Sequence, residues 1–121
     1  MDDIQRERAK HLCEEVLEKV RSHFGAPVIV TSGYRSKQVN HAVGGAPSSQ
    51  HMYAEAADIQ VIGHSAYEVA AWIIEESDIE FDQCIYEYDS WTHVSKTQRY
   101  ANRKESLTIN KNGRKEGLHV T

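Results

Sequence analysis

The sequence predicts a small single-domain α+β fold in which a mainly antiparallel sheet packs against helices. Three observations carry that expectation. The chain has 121 residues, enough for one domain with a real core and too few for two ordinary ones. Its hydrophobic pattern runs helix, strand, loop, strand, helix, strands. Its composition, 40% apolar and 26% charged, is that of a globular protein, and no apolar run approaches the roughly 18 to 20 residues that span a bilayer.

Over residues 4–24 the apolar side chains Ala9, Leu12, Cys13, Val16, Leu17, Val20 and Phe24 recur at three- and four-residue steps, which predicts one amphipathic helix. Asp2 or Asp3 can cap its start, and Gly25 followed by Pro27 ends it. The β-branched run from Val28 predicts a buried strand that turns at Ser32-Gly33 and delivers Tyr34 and Arg35 at its exit. "KQVNHAVGGAPSSQ" carries Gly44, Gly45 and Pro47, and predicts at most a short helical turn before a loop. "AADIQVI" reads as a strand, and "SAYEVAAWIIEES" as a second helix with Ser65 and Glu68 forming a capping box. "FDQCIYEYDSWTHVS" reads as one or two strands, and a hairpin or short strand is expected around Leu107, turning at Asn112-Gly113.

Charge and cysteine usage exclude several classes. The net charge of −4 argues against a broad electrostatic grip on nucleic acid phosphates. The basic stretches "RYANRK" and "KNGRK" are short and diluted by acids, which fits a tail that shapes or attracts an anionic surface better than a nucleic acid binder. Cys13 and Cys84 lie far apart in the chain, without the close pairing of a zinc ribbon or redox motif, and are expected to be buried apolar thiols. The charged start "MDDIQRERAK" lacks the apolar stretch of a secretory signal, so synthesis in the cytosol without export is expected.

The chemistry concentrates in "SSQHMYAEAADI" and "WTH". A catalytic zinc site keeps three protein ligands and leaves its fourth place open. His51 and Asp58 flank a short bend, and His93 on a later strand can cross the sheet to meet them. The small residues Ala54, Ala56 and Ala57 let the backbone pack closely while the ligands converge. Taken alone, a His and an Asp seven positions apart read as a hydrogen-bonded pair on a surface loop. His11, His23, His41, His64 and His119 lack a second ligand at useful spacing and read as surface or satisfied residues.

The wider pattern changes the reading of that pair. "SGYRS", "VGGAPSSQH", "AAD" and "WTH", in that order and at those spacings, together resemble the zinc D-Ala-D-Ala peptidases of the M15 family, especially its short phage and bacterial members. The similarity covers residues 28–95, with residues 96–121 left as a C-terminal tail of the same single domain, and it implies the fold shared by DD-peptidases and the hedgehog signalling domain. By this resemblance His51, Asp58 and His93 are the ligands of one zinc ion, and Ser49 fixes the loop that presents His51. Arg35 binds substrate, its planar fork suiting a peptide carboxylate or a polarised carbonyl oxygen. Tyr34 and Trp91 either wall the substrate cleft or belong to the core. Ala54 stands where the family usually has Gly, a departure that matters if the position needs positive φ.

Relatives place an acid or His shortly before the last ligand as general base, but Ser90 stands three positions before His93. If one strand runs through them, Glu87, Asp89, Trp91 and His93 all face the same way. Glu87 is preferred as the base for its longer arm, with Asp89 the alternative. The resemblance thus implies a zinc metallopeptidase that hydrolyses D-amino-acid-containing stem peptides of bacterial peptidoglycan, as carboxypeptidase or endopeptidase, in the manner of a phage endolysin. A monomer that engages neither nucleic acid nor membrane is expected. The alternative is a non-catalytic cell-wall-binding module with a structural zinc, which loss of both Glu87 and Asp89 would have favoured.

Overall fold

The computed structural model describes residues 2–46 and 49–119. The N-terminal helix runs without a break as α-helix Asp3–Leu12, a π-helical turn Cys13–Leu17 and α-helix Glu18–Phe24. Asp2 caps it in a reciprocal capping box with Gln5, and Gly25 closes it in the left-handed conformation, φ 60°. That turn suits glycine, which has no Cβ to clash. Strands β1 (Val28–Ser32), β2 (Ala56–Val61), β3 (Gln83–Glu87), β4 (Trp91–Ser95), β5 (Glu105–Asn110) and β6 (Gly113–Glu116) form one six-stranded sheet in the order β1-β2-β4-β3-β5-β6. Every neighbouring pair is antiparallel except β3 and β5, which run parallel. The fold is therefore the α+β arrangement that the pattern predicts.

Strand alternation gives the sheet two different faces. One carries Ala57, Ile59, Val61, Cys84, Tyr86 and Val94 into the core, against Leu12, Val16 and Val20 of the N-terminal helix. Val69, Ala70 and Ile73 complete that layer from the helix Ala66–Ala71 and its π-helical extension Trp72–Glu76, which Ser65 and Glu68 cap as expected. The opposite face carries Asp58, His93 and Ile85 as direct cross-strand partners, with Leu107 beyond them on β5. The apolar layer thus holds the strands in register while the polar face stays open for chemistry.

Several expectations need correction. The strand from Val28 is an edge strand, not a buried one, and Ile29 and Val30 are 43% and 47% exposed. Its β-branched run reports strand propensity, which does not distinguish an edge from a centre. The segment after Ser95 is no appended tail, because β5 pairs with β3 inside the sheet. The last hairpin turns at Lys111 and Asn112, one residue before the expected place, with Asn110 opposite Gly113. Cys84 is buried, and burial pushes its thiol far above the usual range, whereas Cys13 is exposed. Among the described residues no helix is long and apolar enough to cross a membrane.

Candidate metal centre and peptidase site

Three separate elements bring the cluster together. The 3-10 turn Gln50–Tyr53 presents His51, and Ser49 Oγ caps that turn by accepting the His51 backbone N–H at 3.2 Å. Ala54 ends it with φ 58°, a left-handed conformation that costs a residue with Cβ roughly 1 kcal/mol. The strained position sits directly between His51 and the strand that carries Asp58. Asp58 on β2 and His93 on β4 are register partners, so the sheet itself sets their spacing.

The ligand atoms of His51, Asp58 and His93 all lie within 4.8 Å of one another. Asp58 Oδ1 stands 3.3 Å from His51 Nε2 and 2.9 Å from His93 Nδ1. Two ligands of a tetrahedral zinc with bonds near 2 Å lie about 3.3 Å apart, so the spacing suits such an ion. His51 Nδ1 also donates to the Gly33 carbonyl oxygen at 2.7 Å. With Nδ1 donating there, the ring turns Nε2 towards a carboxylate oxygen. Two acceptors so placed need a proton or a metal cation between them, and a carbonyl behind the ring is the usual way of orienting a metal-binding histidine. Burial alone would raise the Asp58 carboxyl, but the hydrogen bonds and positive charge offered by His51 and His93 outweigh it and hold the group well below the usual carboxylate range. Among the described residues these three form the one group suited to a metal.

Arg35 reaches the other oxygen of Asp58, with Nη2 3.4 Å from Oδ2. Ser32 Oγ accepts from its Nε at 3.1 Å and Asn40 Oδ1 from its Nη1 at 3.3 Å, which holds the guanidinium plane at the rim of the site. Asn40 is buried and donates to the Ala46 carbonyl oxygen at 2.9 Å, and a Cβ on Gly45 would run into its side chain. A glycine is needed at Gly45 because of this close approach.

The structure does not place Glu87, Asp89, Trp91 and His93 along one strand. β3 ends at Glu87, Tyr88 and Asp89 both take positive φ in a tight turn, and β4 starts at Trp91 opposite Glu87. Glu87, Trp91 and His93 still share the polar face, because register partners point the same way. Burial raises the Glu87 carboxyl above its usual range; the positive charge of His93 and His51 opposes the shift, and the negative charge of Asp58 adds to it. Asp89 instead accepts a hydrogen bond from the Tyr86 hydroxyl on the core side and is not brought to the cluster. Trp91 packs on Tyr88 with ring centroids 5.7 Å apart; among the described residues its buried Nε1 makes no hydrogen bond of ordinary geometry, yet the indole N–H lies close enough to Glu87 to oppose the upward shift of that carboxyl. Tyr34, 37% exposed, faces a small apolar hollow bounded by Leu12, Val30 and Ala57.

The match with known proteins falls on this constellation. The family described as Peptidase M15 matches residues 2–95, more than half of the chain. The chain belongs to the M15 peptidase family. No curated protein matches it closely enough to serve as a named relative. The matched region of this M15 peptidase contains all three members of the metal-suited cluster together with Arg35 and Glu87.

Beside the cluster the M15 peptidase has an open cleft of about 520 Å³, floored by Ile85, Leu107 and Ile109 and reaching His93. Two ion-pair networks brace its wall. Glu55, fully buried, accepts from Arg99 Nη2 at 2.7 Å and from Thr97 Oγ1 at 2.6 Å. Asp82, also fully buried, accepts from Arg103 Nη2 at 2.8 Å, Gln50 Nε2 at 2.9 Å and the Tyr100 hydroxyl at 3.1 Å. The stretch "RYANRK" therefore supplies the partners of two buried carboxylates, a role that sequence reasoning missed. The acids lie 44 and 21 positions away from their arginines, so no local spacing could signal the pairing.

Proposed function

We propose that the protein is a zinc metallopeptidase acting on the D-amino-acid-containing stem peptides of bacterial peptidoglycan. The observation that carries the zinc reading is the His51 ring: Nδ1 donates to Gly33, which leaves Nε2 facing Asp58 Oδ1 across 3.3 Å. His51 Nε2, Asp58 Oδ1 and His93 Nδ1 would hold the ion. Bound there, zinc would supply Lewis acidity, bringing the pKa of water towards about 7 and polarising a peptide carbonyl.

The chain's own groups supply the proton traffic and the orientation. Glu87, on the same face as His93 and poorly solvated, takes the proton released from the attacking water. As the peptide C–N bond breaks, it passes that proton to the leaving amine, so the carboxylate is restored at the end of the cycle. Arg35, anchored by Ser32 and Asn40, turns its guanidinium towards a substrate carboxylate or the carbonyl oxygen that gathers charge. Ser49 keeps the His51 turn closed, and Trp91, the cross-strand partner of Glu87, turns its indole N–H to that carboxylate.

The restriction to peptidoglycan and a role in phage lysis rest on the resemblance of "VGGAPSSQH" and "WTH" to short phage and bacterial M15 enzymes. A monomer that works without nucleic acid or membrane belongs to the same proposal. Mass spectrometry of fragments released from purified peptidoglycan by the zinc-loaded protein, with His93→Ala as control, tests it. New amine and carboxyl ends at one defined bond are expected. Intact peptidoglycan after treatment with protein that retains zinc would instead point to a non-catalytic wall-binding module.

A further inference from the structure

The charge of the chain is divided at the end of the family match. Residues 1–95 contain seven Lys and Arg against sixteen Asp and Glu, a net of −9, whereas residues 96–121 contain seven against two, a net of +5. The described part of that basic segment forms β5, β6 and the wall of the cleft beside the metal cluster. Three of its arginines, Arg99, Arg103 and Arg114, line the cleft.

Their chemical states differ. Arg99 and Arg103 are engaged by the buried carboxylates Glu55 and Asp82 through several hydrogen bonds each. Among the described residues the one ion pair of Arg114 is with Glu105 at 3.8 Å, too far for a hydrogen bond, and its side chain is 60% exposed. Arg114 on β6 pairs with Ile109 on β5, and Ile109 pairs with Glu87 on β3, so all three lie in one row on the polar face. Two interstrand steps, roughly 10 Å, separate the backbone of Arg114 from that of Glu87. A substrate chain laid along this row would pass over Ile109, with Ile85 and Leu107 of the next row beside it, before it met the guanidinium.

We propose that this row is a substrate subsite for a carboxylate-bearing aliphatic arm of the peptide, with Arg114 as the residue that recognises the carboxylate. It rests on the reading of the protein as a peptidase only in taking a peptide as the occupant. The floor accepts methylene groups, Arg114 offers a planar fork of free donors, and the spent arginines behind it keep the wall rigid. Arg114, Leu107 and Ile109 lie beyond the family match, whereas Ile85 and Glu87 lie within it, so the recognising guanidinium comes from outside the matched region. The subsite places the recognised carboxylate roughly two or three residues, or one long side arm, from the reacting bond.

Calorimetric titration of the zinc-loaded full chain tests this. The probes are soluble stem peptides from peptidoglycan, with their side-chain carboxylates either free or converted to carboxamides. Wild-type protein is expected to bind the free form about tenfold more tightly. Arg114→Gln should bind both forms alike, with its affinity for the carboxamide form unchanged. Lys115→Gln, one position along and on the opposite face, should keep the wild-type preference. No preference in wild-type protein, a preference retained by Arg114→Gln, or an equal loss in Lys115→Gln would each overturn the subsite. Binding is read whether or not the peptide is cut, so a preference that depends on Arg114 in a peptide never hydrolysed would keep the subsite and refute the peptidase reading.

Discussion

Glu87 and Ala54 illustrate two kinds of cost that individual residues bear at this site. Glu87 is a poorly solvated acid beside a second carboxylate, an arrangement that disfavours its ionised form and makes it a competent proton acceptor. Glu87→Gln keeps the size and removes the proton acceptor, so kcat should fall by about 10²- to 10⁴-fold with zinc content unchanged, measured by steady-state kinetics and metal analysis on one preparation. Undiminished kcat would remove Glu87 from the mechanism. Ala54 is 2% exposed and left-handed, so a β-branched residue there meets both a steric and a packing penalty. Ala54→Val should lower stability by about 2 to 3 kcal/mol in urea unfolding, and an unchanged midpoint would mean that the turn relaxes freely. The metal-suited cluster His51, Asp58 and His93 was legible because three residue types with affinity for one ion fall in a known order. Asn40, Ser32 and the Gly33 carbonyl oxygen were not, since their roles arise only when the chain folds back on itself.

Elements show where periodicity informs and where it fails. Both main helices, with their capping boxes at Asp2-Gln5 and Ser65-Glu68, follow from local pattern because every contact that defines a cap lies within four residues. The turn between β3 and β4 was harder to see, because "EYDSW" has no glycine and places Tyr88 and Asp89 in positive φ. A reading that counts alternate positions through that turn still puts Glu87 on the correct face, but for the wrong reason: Glu87 and Trp91 are partners across a hairpin, not neighbours on one strand. The loop from Lys96 to Lys104 was equally opaque, because its arginines are matched with acids on distant strands. Removing one side of such a pair strands a buried charge. Arg103→Ala should therefore cost about 3 kcal/mol in denaturant unfolding, well above the effect of the exposed Arg114→Ala. Equal effects of the two changes would show that Asp82 is adequately satisfied by Gln50 and Tyr100 alone.

The whole molecule separates stability from chemistry by the two faces of one sheet. The apolar face and the helices hold the strands, while hydrogen bonds to Asp58 from His51 and His93, and to Asp82 from Arg103, outweigh burial and hold both carboxyls below the usual range. For such groups the folded-state pKa lies under the unfolded value near 4, so their stabilisation is complete above about pH 4 and is lost as the pH falls further. Unfolding followed by circular dichroism should begin below about pH 4 in the metal-free protein, and Arg103→Ala should begin at higher pH. A transition that Arg103→Ala leaves unmoved would remove the Asp82 pair as a cause of acid sensitivity.

The claim on which the rest depends is that His51, Asp58 and His93 hold one metal ion. Zinc content per chain, measured after exhaustive dialysis, tests it for wild-type protein, Glu87→Gln and the three single alanine variants of the cluster, with circular dichroism confirming that each is folded. One zinc per chain is expected in wild-type protein and Glu87→Gln, and none in folded His51→Ala, Asp58→Ala or His93→Ala. A full zinc complement in all three alanine variants would contradict the account.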